Sequence, residues 1–122
     1  ANNATKDGRI AASHYTNSEE PVGVVRVISN STENQVYWGG GSSIINAATD
    51  HRFYTASTNT TTGGTERFRI LAGGQVNVAG NFTQTTYTMQ VTGTLNVTSN
   101  ITQNGNALAS TGKAIAMAML FG

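Results

Sequence analysis

Two copies of one short motif constrain the fold of this chain more than any other feature. The copies begin at Gly74 and Gly93, 19 residues apart, and share the pattern Gly-x-apolar-Asn-Val-x-x-Asn-apolar-Thr-Gln. Their apolar residues stand at even spacings, at Val76, Val78 and Phe82 and again at Leu95, Val97 and Ile101. A period of two is that of an extended strand, whose side chains point alternately to opposite faces. The repeat therefore predicts β-strands that are apolar on one face.

Strands this short cannot bury an apolar face within one chain. Repeats solve this by stacking, and symmetry copies of the chain would close the stripes around a common axis. We therefore expect residues 73–106 to form an intersubunit β-fibre, with a trimer as the expected assembly. The alternative is an ordinary hairpin in a monomeric sandwich.

The chain ends in an apolar segment, Ala114–Phe121, followed by one glycine. Burying its five large side chains would be worth roughly 7–15 kcal/mol, at about 1.5–3 kcal/mol each. These side chains are Ile115, Met117, Met119, Leu120 and Phe121. Their alternation with alanines predicts a strand, while the helix propensity of Ala, Met and Leu keeps a helix open as the alternative. Residues 107–122 are expected to be an assembly segment, too short for membrane insertion, which takes about 20 residues.

The first 72 residues are expected to form a small displayed β-domain. Runs of β-branched and aromatic residues predict strands over residues 9–15, 22–28, 35–38, 52–56 and 66–70. The second of these runs is the most apolar and is predicted to be buried. Together with the repeat and the C-terminal segment, these runs predict an all-β fold class.

The composition fits an ordered β-protein with uncharged polar surfaces. Charged residues make up only 11% of the chain, against about 25% in ordinary domains. A net charge of +1 offers no electrostatic basis for binding nucleic acid. The chain has no cysteine, which excludes disulfides and thiolate chemistry.

No spacing of polar side chains predicts catalysis or metal binding. The carboxylates show no paired arrangement of the kind that glycoside hydrolysis needs. The two histidines, His14 and His51, lie outside any cluster of ligand-type residues. No catalytic, cofactor-binding or metal-binding residue is therefore predicted, and we expect a protein that is not an enzyme and uses no cofactor. A carbohydrate-active alternative would depend on Asp50 and Glu66.

Tyr37 and Trp38 stand directly before three consecutive glycines. Flat aromatic rings beside flexible backbone can stack on sugars, so both residues are candidate glycan contacts. The alternative is that the two rings close a small hydrophobic core.

A series of short segments runs in order from Asp7 to Val78. The segments are Asp7–Ile10, Ser13–Val22, Gly39–Ser43, Asn46–Thr49, Phe53–Ala56, Asn59–Thr62, Gly64–Ile70 and Gly74–Val76. In this order they resemble a module of tail-fibre-type virion structural proteins of tailed bacteriophages, especially marine ones. The resemblance implies a homotrimer displayed on the virion, extracellular when mature, and brings no catalytic motif. After this module many relatives continue into a long fibre and a self-cleaving chaperone, whereas this chain has two short repeats and the apolar segment.

The sequence thus predicts a non-enzymatic phage virion structural protein, as a tail fibre, a spike or a capsid fibre. Its expected partners are further copies of itself, other virion proteins, and a host cell-surface glycan or protein. The alternative is a self-polymerising extracellular filament, in which the C-terminal segment of one subunit completes the sheet of the next.

Overall fold

A computed structural model describes residues 2–108 of the chain. It divides the chain into two compact units, Ala1–Thr92 and Gly93–Gly122. The division falls between the two copies of the repeat, whereas the predicted boundary after residue 72 lies inside the first unit. The predicted strand over Ala114–Phe121 lies outside the described residues and stays a prediction.

The first unit begins with an antiparallel sheet of three strands. They are β1 (Lys6–Ala12), β2 (Val22–Ser29) and β3 (Asn34–Trp38), in the order β1-β2-β3. The turn between β2 and β3 is fixed by Asn30, whose side-chain oxygen accepts the backbone N–H groups of Thr32 at 2.8 Å and Glu33 at 3.0 Å. Such side-chain turns are a common use of Asn.

The second sheet of this unit contains four strands. They are β4 (His51–Thr55), β5 (Thr65–Ile70), β6 (Val76–Val78) and β7 (Met89–Val91), in the order β4-β5-β6-β7. The first three are antiparallel neighbours, and β7 pairs with β6 in parallel. Phe53 and Phe68 face each other across β4 and β5, edge to face, with ring centroids 5.3 Å apart.

The described part of the second unit contains one hairpin, formed by β8 (Thr102–Gln103) and β9 (Asn106–Ala107). Asn104 and Gly105 make its turn, with φ of 51° and 81°. Positive φ at both central residues is the signature of the Asn-Gly hairpin turn.

Little hydrophobic surface is buried. Within residues 2–108, Ile45 is the one buried hydrophobic side chain, and fifteen large hydrophobic residues are exposed. Ile45 packs against Gly23, where an added Cβ would lie 2.7 Å from the Ile45 Cδ1 atom. The strand predicted as buried, β2, is itself half exposed, because the described residues provide no second layer to cover both of its faces.

The predicted all-β class is confirmed for the described residues, which contain strands and no helix. A helix with the length and apolarity needed to cross a membrane is accordingly not found among them. Within the first 72 residues, the four strands β2 to β5 begin and end within one residue of their predicted bounds. The exception, β1, lies three residues early. It ends at Ala12, after which His14 Nδ1 accepts the Thr16 N–H at 3.0 Å and the Thr16 carbonyl accepts the Glu19 N–H at 3.0 Å. The trimeric fibre stays a prediction.

Candidate functional site

A cleft of about 350 Å³ opens between the end of β3 and the start of β4. Two large aromatic rings on its wall are exposed to solvent, with Trp38 at 71% and Phe53 at 54% of their full accessible area. The other lining residues are Gly23, Val24, Gly39, Ala48, His51 and Arg52. A mainly apolar cleft with a few polar groups is the usual form of a small-molecule site.

The floor of the cleft is held by backbone hydrogen bonds around Gly39. The Gly39 N–H donates to the Val24 carbonyl at 2.9 Å, and its carbonyl accepts the Ala48 N–H at 2.7 Å. Gly39 has φ of +73°, and a Cβ there would overlap the His51 Cε1 atom. The imidazole of His51 therefore packs directly on this glycine, and β4 is brought up to the end of β3.

Arg52 gives the cleft its charged rim. Its Nε and Nη2 atoms donate to Asp50 Oδ2 at 3.0 and 2.7 Å. The hydrogen bond from Arg52 lowers the pKa of the Asp50 carboxyl, and Asp50 raises the pKa of the guanidinium. Both groups are therefore ionised at neutral pH. The Arg52 side chain remains 47% exposed, so it can reach a ligand in the cleft.

The two aromatic residues predicted as glycan contacts face opposite sides of β3, as neighbours in a strand must. Trp38 lies in the cleft wall. Tyr37 is half-buried on the other face, where its hydroxyl donates to Gln35 Oε1 at 2.6 Å. The Arg26 guanidinium lies 5.6 Å from the Tyr37 ring centroid. Of the two predicted glycan contacts, Trp38 is therefore the one that can contact a ligand in this cleft.

Three carboxylates of the first unit are each bound by arginine. Asp7 pairs with Arg26 at 2.9 Å, and Glu66 pairs with Arg69 at 2.5 and 2.7 Å; the third is Asp50. The pKa of each is lowered, chiefly by the arginine hydrogen bond. The general acid of a glycosidase requires a raised pKa. The pKa values of Asp50 and Glu66 are lowered, which does not suit that role. Within residues 2–108 no three residues of the His, Cys, Asp and Glu types are grouped as a metal site.

The first repeat copy is built around an amide that the sequence analysis did not single out. Asn77 is completely buried, at 0% exposure, between the half-buried Val76 and Val78. Its Nδ2 donates to the carbonyls of Phe82 at 3.3 Å and Gln84 at 3.2 Å, and its Oδ1 accepts Gln84 Nε2 at 2.5 Å. The available signal was the recurrence of Asn at the same place in both copies.

The predicted assembly residues differ in exposure between the two copies. Phe82 is half-buried, with the Arg69 guanidinium 5.6 Å from its ring centroid. In the second copy Leu95, Val97 and Ile101 are all exposed, Leu95 at 70%. The sequence between Arg69 and Lys113 contains no charged residue, so this surface combines apolar side chains with neutral amides and hydroxyls.

Comparison of the chain with protein-family models found no matching family. Comparisons with curated proteins and with solved structures found no match either.

Proposed function

We propose that this chain is a non-enzymatic structural subunit of a phage virion, forming a trimeric β-fibre that is displayed for attachment to the host surface. The observation that carries the proposal is the near absence of a hydrophobic core in residues 2–108. One hydrophobic side chain is buried there while fifteen large ones are exposed.

Such a surface favours assembly because each large side chain gains about 1.5–3 kcal/mol when it is fully buried. Exposed apolar surface on this scale marks an interaction site in a soluble protein. The strands within residues 73–106 are too short to cover one another, since β6 and β7 have three residues each and β8 has two. Further copies of the chain supply the missing cover.

The assignment to a virion depends on the resemblance of residues 7–78 to tail-fibre-type proteins. The all-β architecture and the scarcity of charge agree with a fibre subunit. A tail fibre, a short spike and a capsid fibre all suit the proposal, with the C-terminal segment binding either sister subunits or another virion protein.

The Trp38 cleft is the proposed attachment surface, and a host cell-surface glycan is its proposed ligand. An exposed indole and an exposed phenyl ring offer flat apolar faces for the C–H face of a sugar. Arg52 at the rim can donate hydrogen bonds to hydroxyl or carboxylate oxygens.

The experiment is to measure the solution mass of the full chain and of a chain lacking Ile115–Phe121. We expect a discrete species of three times the 12.8 kDa chain mass, and loss of that species on truncation. An unchanged oligomer mass in the truncated chain would contradict the role given to the C-terminal segment. A growing series of masses would instead favour the self-polymerising filament, and a monomeric full chain would exclude both.

A further inference from the structure

We propose that the second repeat copy closes on a neighbouring copy of this chain during assembly, burying Asn96 as Asn77 is already buried within the first copy. The inference depends on the proposed oligomeric function and specifies which residues form the interface. The occupant of the surface is a second copy of the chain.

The first copy shows what the closed motif looks like. Its strand β6 is covered on both edges, by β5 and by β7. Gln84 completes the network around Asn77, because its amide also donates to the Tyr87 carbonyl and accepts the Tyr87 N–H, both at 3.0 Å. Ala79 and Asn81, with φ of 66° and 46°, shape the loop between β6 and Gln84.

The second copy has the same residue types at the same places and a different conformation. Asn96 and Gln103 correspond to Asn77 and Gln84, yet both are exposed. Among the described residues the side chain of Asn96 makes no hydrogen bond, and residues 98 and 100 have none of the positive φ angles of their counterparts. Residues 95–97 are paired with no strand in the described part of the chain.

The contrast between the two copies indicates that the motif adopts the closed conformation only where neighbouring strands bury its apolar side chains. A buried amide is favourable only when all its hydrogen bonds are made. The closed form therefore requires a neighbour that removes Leu95, Val97 and Ile101 from water, and residues 2–108 provide none for the second copy of the motif. The stable alternative without a neighbour is the segment 94–101, which lies in no strand of the described residues, followed by the Asn104-Gly105 hairpin.

Charge and pattern favour another copy of this chain as the neighbour. The surface carries no charge between Arg69 and Lys113, so it offers no attraction to nucleic acid, an anionic membrane or a charged protein. The same surface on a second copy of the chain is complementary to it, because apolar side chains can pack on apolar side chains and amides can form hydrogen bonds with amides. A single buried Asn at a subunit interface fixes register in coiled coils, and Asn96 is proposed to do so here.

The test is the hydrogen exchange of side-chain amides in the full-length, isotope-labelled protein, followed by NMR over a range of protein concentration. Asn77 serves as the protected internal reference. Asn59 serves as the unprotected one, because it is an exposed loop residue whose side chain makes no hydrogen bond within the described part of the chain. We expect Asn96 to be protected in the oligomer and to lose protection on dilution. Asn96→Ala should weaken assembly by roughly ten- to hundredfold, the equivalent of leaving a buried polar partner unpaired, and Asn59→Ala should leave it unchanged.

The outcomes separate this inference from the proposed function. An oligomer in which Asn96 exchanges as fast as Asn59 overturns the inference and leaves the oligomeric function in place. Protection that is independent of concentration and disappears on deletion of residues 115–121 also overturns it, because the chain's own C-terminal segment would then be the cover. A monomer at all concentrations removes the proposed function and the inference together.

Discussion

Arg26 is the residue that ties the first sheet together. Its guanidinium binds Asp7 at 2.9 Å, donates to the Gly41 carbonyl and lies over the ring of Tyr37. The pairing follows from the β1–β2 register, which sets Arg9 opposite Arg26 and brings Asp7 within reach. The sequence separates Asp7 from Arg26 by 19 residues, so no local pattern could reveal the contact. The repeat marks Asn77 in the sequence, but its burial depends on the strands that pair with β6 on both sides.

The Asp7 pair makes a prediction about acid stability. The hydrogen bond from Arg26 lowers the pKa of the Asp7 carboxyl in the folded state. A depressed pKa means that the ionised form stabilises the fold above the unfolded value of about pH 4, and that this contribution is lost as pH falls through the folded value. Asp7→Asn should therefore lower the thermal midpoint of the first unit at pH 7.

The difference between Asp7→Asn and the unchanged chain should shrink as the pH falls below about 4 and vanish at lower pH, where both side chains are neutral. Thermal unfolding followed by circular dichroism between pH 2 and about pH 7 measures it. A difference in midpoint that stays constant across this range would show that the substitution acts through packing and not through the charge of Asp7.

At the scale of elements, the junction between the first sheet and β4 depends on Gly39. Its φ of +73° and the His51 ring leave no room for a side chain. Gly63 provides a matched control, because it has φ of +76° and no atom within 4 Å of an added Cβ. Both Gly→Ala changes incur a left-handed backbone cost of about 1–2 kcal/mol.

Gly39→Ala should lower the free energy of unfolding by about 1–3 kcal/mol more than Gly63→Ala does, because His51 must also be displaced. Denaturant titration of the two variants measures the difference. Equal losses would mean that the imidazole moves aside freely and that β4 is not held through this contact.

The strands themselves were largely predictable, while their pairing was not. The β-branched and aromatic runs around Val25 and Phe68 indicate strands from local sequence alone. The local sequence does not indicate the parallel pairing of β6 with β7. This pairing depends on a loop that is closed by the hydrogen bond between the buried Asn77 and Gln84. The sequence identified Trp38 as a candidate contact of the cleft. It did not indicate that Arg52 and Phe53 line the same cleft, because they lie on β4, which only the fold brings next to Trp38.

At the scale of the whole molecule, the proposed trimer would present three copies of the Trp38 cleft to one surface. Linked sites bind a surface more tightly than one site does, without any new contact. Trp38→Ala should abolish binding to a glycan array, whereas Tyr15→Ala, at a fully exposed residue outside the cleft, should not affect it. The chain lacking residues 115–121 should retain weak binding and lose roughly 10²–10⁴-fold in avidity. Equal binding by the Trp38→Ala and unchanged proteins would exclude this cleft as the attachment surface.

Because no charged residue lies between Arg69 and Lys113, we expect the two parts of the chain sequence to respond differently to salt and pH. An interface without ions has nothing for salt to screen and no carboxylate to protonate. The arginine-bound carboxylates, in contrast, all lie before residue 70, in the β-domain. In the proposed fibre, acid and high salt are therefore expected to weaken the β-domain of residues 1–72 while the interface formed by the uncharged repeats stays assembled.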